Sequence, residues 1–267
     1  MKDSTRLLAI AAAIFSCAPV FAQAAAGKKP AAGAVPRAHD GKPNLSGIWQ
    51  VIGSANYDLQ DHSAQKDVPA GQSVLEGGEI PYQPWALAKK KENFKNRASG
   101  DPEAKCYLLG VPRMTYSGHP FQIFQGSAAD PITILYEYAH ANRFIYTNGS
   151  EHPKGPIEWW MGDSRGHWEG DTLVVDNVHF NDRTWLDRAG DFHSEDLHVT
   201  ERYTLTDPDH ISYQARIEDP KVFTRPWNIN IVLYRRTEPN AQLLDYECYT
   251  FDLDKYYPFP AEGEIQQ

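Results

Sequence analysis

The stretch "FNDRTWLDRAGDFHSEDLHVTERY", Phe180 to Tyr203, holds the groups best suited to chemistry. A histidine with a carboxylate to orient it is the usual acid–base pair near neutral pH. His193 is the candidate general acid or base here, and Asp182 the group that would orient it. Glu201 is a second carboxyl that could move a proton. Asn181 and Trp185 would ring the mouth of a binding site, because loops on a rigid scaffold often carry function. A plainer reading stands beside this one. In it Asn181 and Asp182 cap a turn, Asp187 pairs with Arg188, and Trp185 only covers the end of the domain.

Alternation along strands assigns the faces. In Leu197 to Thr206, one face is Leu197, Val199, Glu201, Tyr203 and Leu205. Glu201 is thus a carboxylate on an apolar face, where an unpaired charge is costly. It is either locked by Arg143 or Arg225, or it serves a site. In Ile132 to His140, Tyr136 lies on an aromatic column that His140 closes, so His140 joins the catalytic candidates. Arg143 opens the next strand, and with Tyr136 it is a candidate ligand contact. "DPKVFTRPW" adds Arg225 and Trp227, a cation with an aromatic, suited to an aromatic or carboxylate-bearing ligand. Thr172 to Phe180 is apolar on both faces, so which of Asp176 and Asn177 points inward stays open.

These side chains need strands to hold them, and strands dominate the pattern. Runs at 45–51, 120–125, 132–138, 143–147, 172–180, 197–206, 211–217, 228–236 and 243–251 are separated by turn residues, including Asn148-Gly149. His167-Trp168 pairs back across Glu169-Gly170-Asp171. One helical segment is expected, over 84–98, with Pro84 at its start. The fold class is mainly β: an antiparallel, calycin-like barrel, with a β-sandwich as the alternative.

The formal charge of −9 disfavours nucleic acid and anionic membrane surfaces as partners. Lys2, Arg6 and the apolar run Leu7 to Phe21 read as a signal peptide over 1–24. Residues 25–44 read as a flexible linker, and 45–260 as one barrel domain. Export to a periplasm or beyond follows, with no membrane insertion once the signal is removed. Cys106 and Cys248 remain, and an oxidising compartment favours a disulfide between them. No H-E-x-x-H, C-x-x-C, G-x-S-x-G or phosphate loop is present, so neither a metal nor a cofactor is expected.

Gly47-Ile48-Trp49 resembles the G-x-W of lipocalins and other calycin barrels, whose Trp plugs the barrel base. A longer likeness runs through "GVPRMTYSGHPFQI", "LYEYAHANRFIY", "GDSRGHWEGDTLVVDNVHFNDRTWLD", "HSEDLHVTERY" and "EDPKVFTRPW". Over roughly 105–250 the chain resembles a family of exported bacterial proteins with W-E-G-D-T-L-V-V-D and F-N-D-x-T-W-L-D blocks. That resemblance implies an exported β-rich domain and little about chemistry.

The function expected is an exported small-molecule enzyme. It would be a cofactor-free lyase, isomerase or hydrolase acting on a small aromatic or hydrophobic molecule in a barrel cavity. The alternative is a non-catalytic carrier of such a ligand.

Overall fold

The computed structural model describes residues 34–66, 68–127, 130–246 and 248. The expected signal peptide lies outside them. Nine strands close into one barrel in sequence order: β1 (Gly47–Val51), β2 (Phe121–Phe124), β3 (Ile132–Tyr136), β4 (Asn142–Tyr146), β5 (Asp163–Glu169), β6 (Thr172–Val178), β7 (His198–Asp207), β8 (His210–Glu218) and β9 (Trp227–Arg235). β9 pairs with β1, so neither is left as an edge. The closed barrel, rather than the sandwich, is the architecture.

Alternating burial explains why these runs are strands. β7 buries Val199, Glu201, Tyr203 and Leu205, and β8 buries Ile211, Tyr213, Ala215 and Ile217. Each strand thus gives one face to a shared core and one to solvent. Trp49 is wholly buried on β1; its indole N–H donates to the Leu45 carbonyl at 2.9 Å, and the Arg235 guanidinium stacks over its ring at 4.2 Å.

The strands are not all antiparallel. β4 and β5 run parallel, matched at only two positions, Ile145↔Ser164 and Tyr146↔Arg165. A parallel neighbour needs a crossover rather than a tight hairpin, and residues 147–162 supply it. That segment has no strand period, so alternation gives no hint of it.

Helix α1 (Pro84–Lys95) and the short α2 (Arg97–Gly100) occupy the expected helical stretch, broken at Asn96. Of the run at 243–251, residues 243–246 and 248 are not strand; Tyr246 makes one isolated bridge, to Tyr138. The rest of that run falls outside the described residues. Within the expected linker, Arg37 makes a bidentate pair with Asp171 at 2.6 and 2.7 Å, beside the β5–β6 turn. Cys106 and Cys248 are joined as expected, their Cα atoms 5.4 Å apart. Among the described residues, no helix is long and apolar enough to cross a membrane.

Candidate functional site at the β4–β5 seam

Inside the barrel, neighbouring strands bring five polar side chains together. Arg143 points inward from β4, Ser164 from β5, Asn177 from β6, and Glu201 and Tyr203 from β7. Asn177 is fully buried, so it, and not the half-exposed Asp176, is the inward residue of β6.

Glu201 is saturated. One carboxylate oxygen accepts from Arg143 Nη1 at 3.2 Å, Tyr203 Oη at 2.9 Å and Tyr213 Oη at 2.8 Å. The other accepts from Arg143 Nη2 and from Asn177 Nδ2 at 3.0 Å. Arg143 also donates to Ser164 Oγ at 2.9 Å and to Asn177 Oδ1 at 2.5 Å. A carboxylate has about four lone-pair sites, so Glu201 has none left for a substrate. Burial alone would lower the Arg143 pKa, yet the Glu201 charge holds it well above its ordinary value. The phenols of Tyr203 and Tyr213 are pushed up, first by burial and then by that same charge. Of the two readings for Glu201, the salt lock to Arg143 is the one observed.

Tyr136 joins this group. It is buried, with its hydroxyl close to Arg143 and Thr115. The remaining candidates do not assemble here. His193 is buried against Phe180, its Nδ1–H donates to the Ser194 carbonyl at 2.9 Å, and its Nε2 accepts from Thr184 Oγ1 at 2.6 Å. Both nitrogens are used, and burial holds its pKa below the usual value. Asp182 is exposed and does not bond to it. His193 fails to reach a cavity rim because Asp219 grips the Ser194 turn, accepting from its N–H at 2.6 Å and its hydroxyl at 3.0 Å.

Asn181 is a turn cap, accepting from the Arg183 N–H at 3.1 Å. His140 sits exposed in the β3–β4 turn with φ +50°, so the aromatic column ends at Tyr138. Arg225 is exposed and donates to the Pro226 carbonyl. Trp227 is buried, edge-on to Phe223, in the core. Trp185 is half-buried, bridged to Phe192. None of these six residues—His193, Asp182, His140, Arg225, Trp227 and Trp185—touches the Glu201 cluster.

The cleft lies elsewhere, where β4 and β5 part. Before Ile145 the β5-side edge of β4 has no strand beside it among the described residues, and a cavity of about 340 Å³ opens there. Its walls are Leu108, Phe144, Tyr146, Trp159, Trp160 and Met161; Arg143, Asp163 and Ser164 lie at its polar side. The crossover places the two tryptophans. Trp159 docks beside β6, its N–H donating to His179 O at 2.8 Å while its carbonyl accepts from Asn181 N at 3.2 Å. Gly162 permits the close pass, since a Cβ there would meet Phe180 at 2.7 Å and φ is +67°.

Charges around the cleft are compensated. Burial would raise the Asp163 pKa, but hydrogen bonds from Arg165 and His152 hold it below the ordinary value. Arg165 grips both its oxygens, at 2.7 and 2.9 Å. His152 bridges Asp163 and Asp176, at 2.6 and 3.0 Å, and so pins the crossover to the outer face of the barrel. His198 holds the other oxygen of Asp176.

That outer pair should be visible in the pH dependence of stability. The hydrogen bond to Asp176 raises the His198 pKa above 6.5, and the same bond lowers that of Asp176 below 3.8. The folded state therefore binds the His198 proton more tightly than the unfolded chain does. This stabilisation is complete below pH 6.5 and is lost as pH rises through the raised value. It also fades in acid, as pH falls through the lowered Asp176 value. Because His198 is 39 % exposed, screening limits the effect to about 1 kcal/mol or less. His198→Gln is expected to remove that alkaline decline, compared by urea unfolding at about pH 5.5 and pH 8.

No family model, curated protein or solved structure matches this chain. The functional reading therefore rests on the site itself.

Proposed function

We propose that the protein binds a small, neutral aromatic or hydrophobic molecule in the seam cleft, and that it acts as a carrier rather than a catalyst. One observation carries this: three cleft aromatics keep more than a third of their surface open, Phe144 at 45 %, Trp159 at 38 % and Tyr146, beneath the Arg165 guanidinium, at 37 %. Rings exposed at the walls of a concave site are ready to stack on a ligand. A cavity of about 340 Å³ falls in the size range of small-molecule sites. Compensated charges favour a neutral ligand, since a charged one would meet no free counter-ion.

The lyase, isomerase or hydrolase reading needs a free proton-transfer group at the cleft. Among the described residues Asp163 is the one carboxylate lining it, and Arg165 and His152 already hold that group. The signal-like leader and the disulfide support a periplasmic or secreted location. The blocks shared with exported bacterial proteins are consistent with it.

The reading is tested with N-phenyl-1-naphthylamine, a neutral aromatic probe that fluoresces when bound. Trp159→Ala should weaken binding about tenfold or more, from lost stacking and contact area. Trp85→Ala, on the exposed side of α1, should leave it unchanged. Equal loss in both variants would place the probe outside the cleft and sink the reading.

A further inference from the structure

A second cleft, of about 540 Å³, lies between the 57–68 loop, α1–α2 and Arg188–Ala189. Asp58 lines it, and Asp187 and Asp191 are buried close to Asp58; one oxygen from each of the three lies within 4.8 Å of the others. Asp187 and Asp191 are both wholly inaccessible to solvent.

Their partners do not balance their charge. Asp187 accepts backbone N–H groups from Leu59 at 3.0 Å and Asp191 at 3.1 Å. Asp58 accepts from Gln60 N at 2.9 Å. One oxygen of Asp191 accepts from Tyr82 Oη at 2.5 Å and lies 3.8 Å from Lys90 Nζ. The other oxygen of Asp191 is buried and receives no hydrogen bond, while the Asp187 carboxyl lies against this side chain. Among the described residues Lys90 is the one cation paired with any of the three, and it reaches Asp191 alone; His62 lies further off beside Asp58, and Arg113 acts on Asp187 only at a distance. Arg188 does not pair with Asp187 as its position in the sequence suggests. It grips Glu103 at 2.7 Å through two nitrogens, and Arg113 is committed to Asp101 and Glu103.

Two unsolvated carboxylates side by side, one with an oxygen that receives no hydrogen bond from a donor, require a positive partner. The donors are all hard carboxylate oxygens, with no nitrogen or sulfur among them, which selects calcium-like ions over zinc or copper. An ion roughly 2.3–2.6 Å from each ligand would hold those ligands no more than about 5 Å apart, as they are. The cleft above Asp58 supplies an entry path and room for water ligands. We propose that Asp58, Asp187 and Asp191 form a binding site for one calcium-class divalent cation, with Asp191 presenting its unpartnered oxygen to the ion.

The site is tested by calorimetric titration of the whole mature protein with calcium chloride, after chelator treatment and dialysis. One equivalent should bind, and the thermal unfolding midpoint should rise with calcium. Asp58→Asn keeps an oxygen for the Gln60 N–H, so it preserves the turn while removing one charge; it should bind calcium at least about tenfold more weakly. Terbium luminescence on the unaltered protein gives a readout free of any variant, excited through Tyr82 and displaced by calcium. Absence of heat, thermal shift and calcium-displaceable terbium up to about 10 mM would overturn the proposal and leave a proton shared between the carboxyls as the neutralising partner. Unchanged affinity in a folded Asp58→Asn, or tighter binding of zinc than calcium, would overturn it as well.

Discussion

Arg143→Met is expected to lower the free energy of unfolding by about 3–5 kcal/mol, the effect of stranding one member of a buried ion pair. Both members are out of solvent, at 3 % exposure for Arg143 and 0 % for Glu201. Removing Arg143 leaves Glu201 with Asn177, Tyr203 and Tyr213, which donate hydrogen bonds but no charge. It also strips the Nε donor from Ser164. Arg143→Met combined with Glu201→Leu should recover much of the loss, because replacing a whole buried pair by apolar groups is often near neutral. Urea unfolding of the two single variants and the double variant measures this. Additive losses in the double variant would show that the residues do not act as a pair.

The disulfide is the second large contribution. Cys106 and Cys248 are 142 positions apart. Closing so long a loop in the unfolded chain is worth about 4–5 kcal/mol in the chain-entropy account. Near its ends the chain is held by Tyr246, stacked on Tyr138 at 5.4 Å and close to His119 at 4.4 Å. The double variant Cys106→Ser, Cys248→Ser should therefore lose stability by about 3–5 kcal/mol while keeping the barrel's strand spectrum. Denatured, unreduced mature protein should show no reactive thiol. Two reactive thiols, or a variant as stable as the parent, would contradict the bridge.

The barrel was legible because its strands obey the two-residue period. Leu197, Val199, Glu201, Tyr203 and Leu205 fall on one face in sequence and in structure. The partner of Glu201 was not decidable that way. Arg143 and Arg225 both carry the right charge, and only the successive registers of β4 on β5, β5 on β6 and β6 on β7 select Arg143. His193 misled because a histidine beside a strand looks like a rim residue; the Asp219 grip on Ser194 that draws it inward spans 25 positions and leaves no local mark.

The seam cleft was missed for a different reason. Its tryptophans sit on a crossover with no periodicity, and a short parallel pairing produces no pattern of its own. The meeting of Asp58 with Asp187 leaves no local mark, because 129 residues separate them and their approach depends on a loop packing under α1, so the sequence offers Arg188 as the partner instead. The tight cluster of ionisable groups in Phe180 to Tyr203 proves to be divided. Asp187 and Asp191 lie buried beneath Asp58 of the second cleft, His193 in the core, and Glu201 in the lumen.

Methyl NMR on protein with carbon-13-labelled methionine tests the central claim most directly. Met161 lines the seam cleft, whereas Met114 is fully buried in the core. Adding N-phenyl-1-naphthylamine should move the Met161 methyl resonance through the ring current of the bound molecule and leave that of Met114 in place. Saturable binding of the probe with Met161 unmoved would contradict a ligand site at the β4–β5 seam.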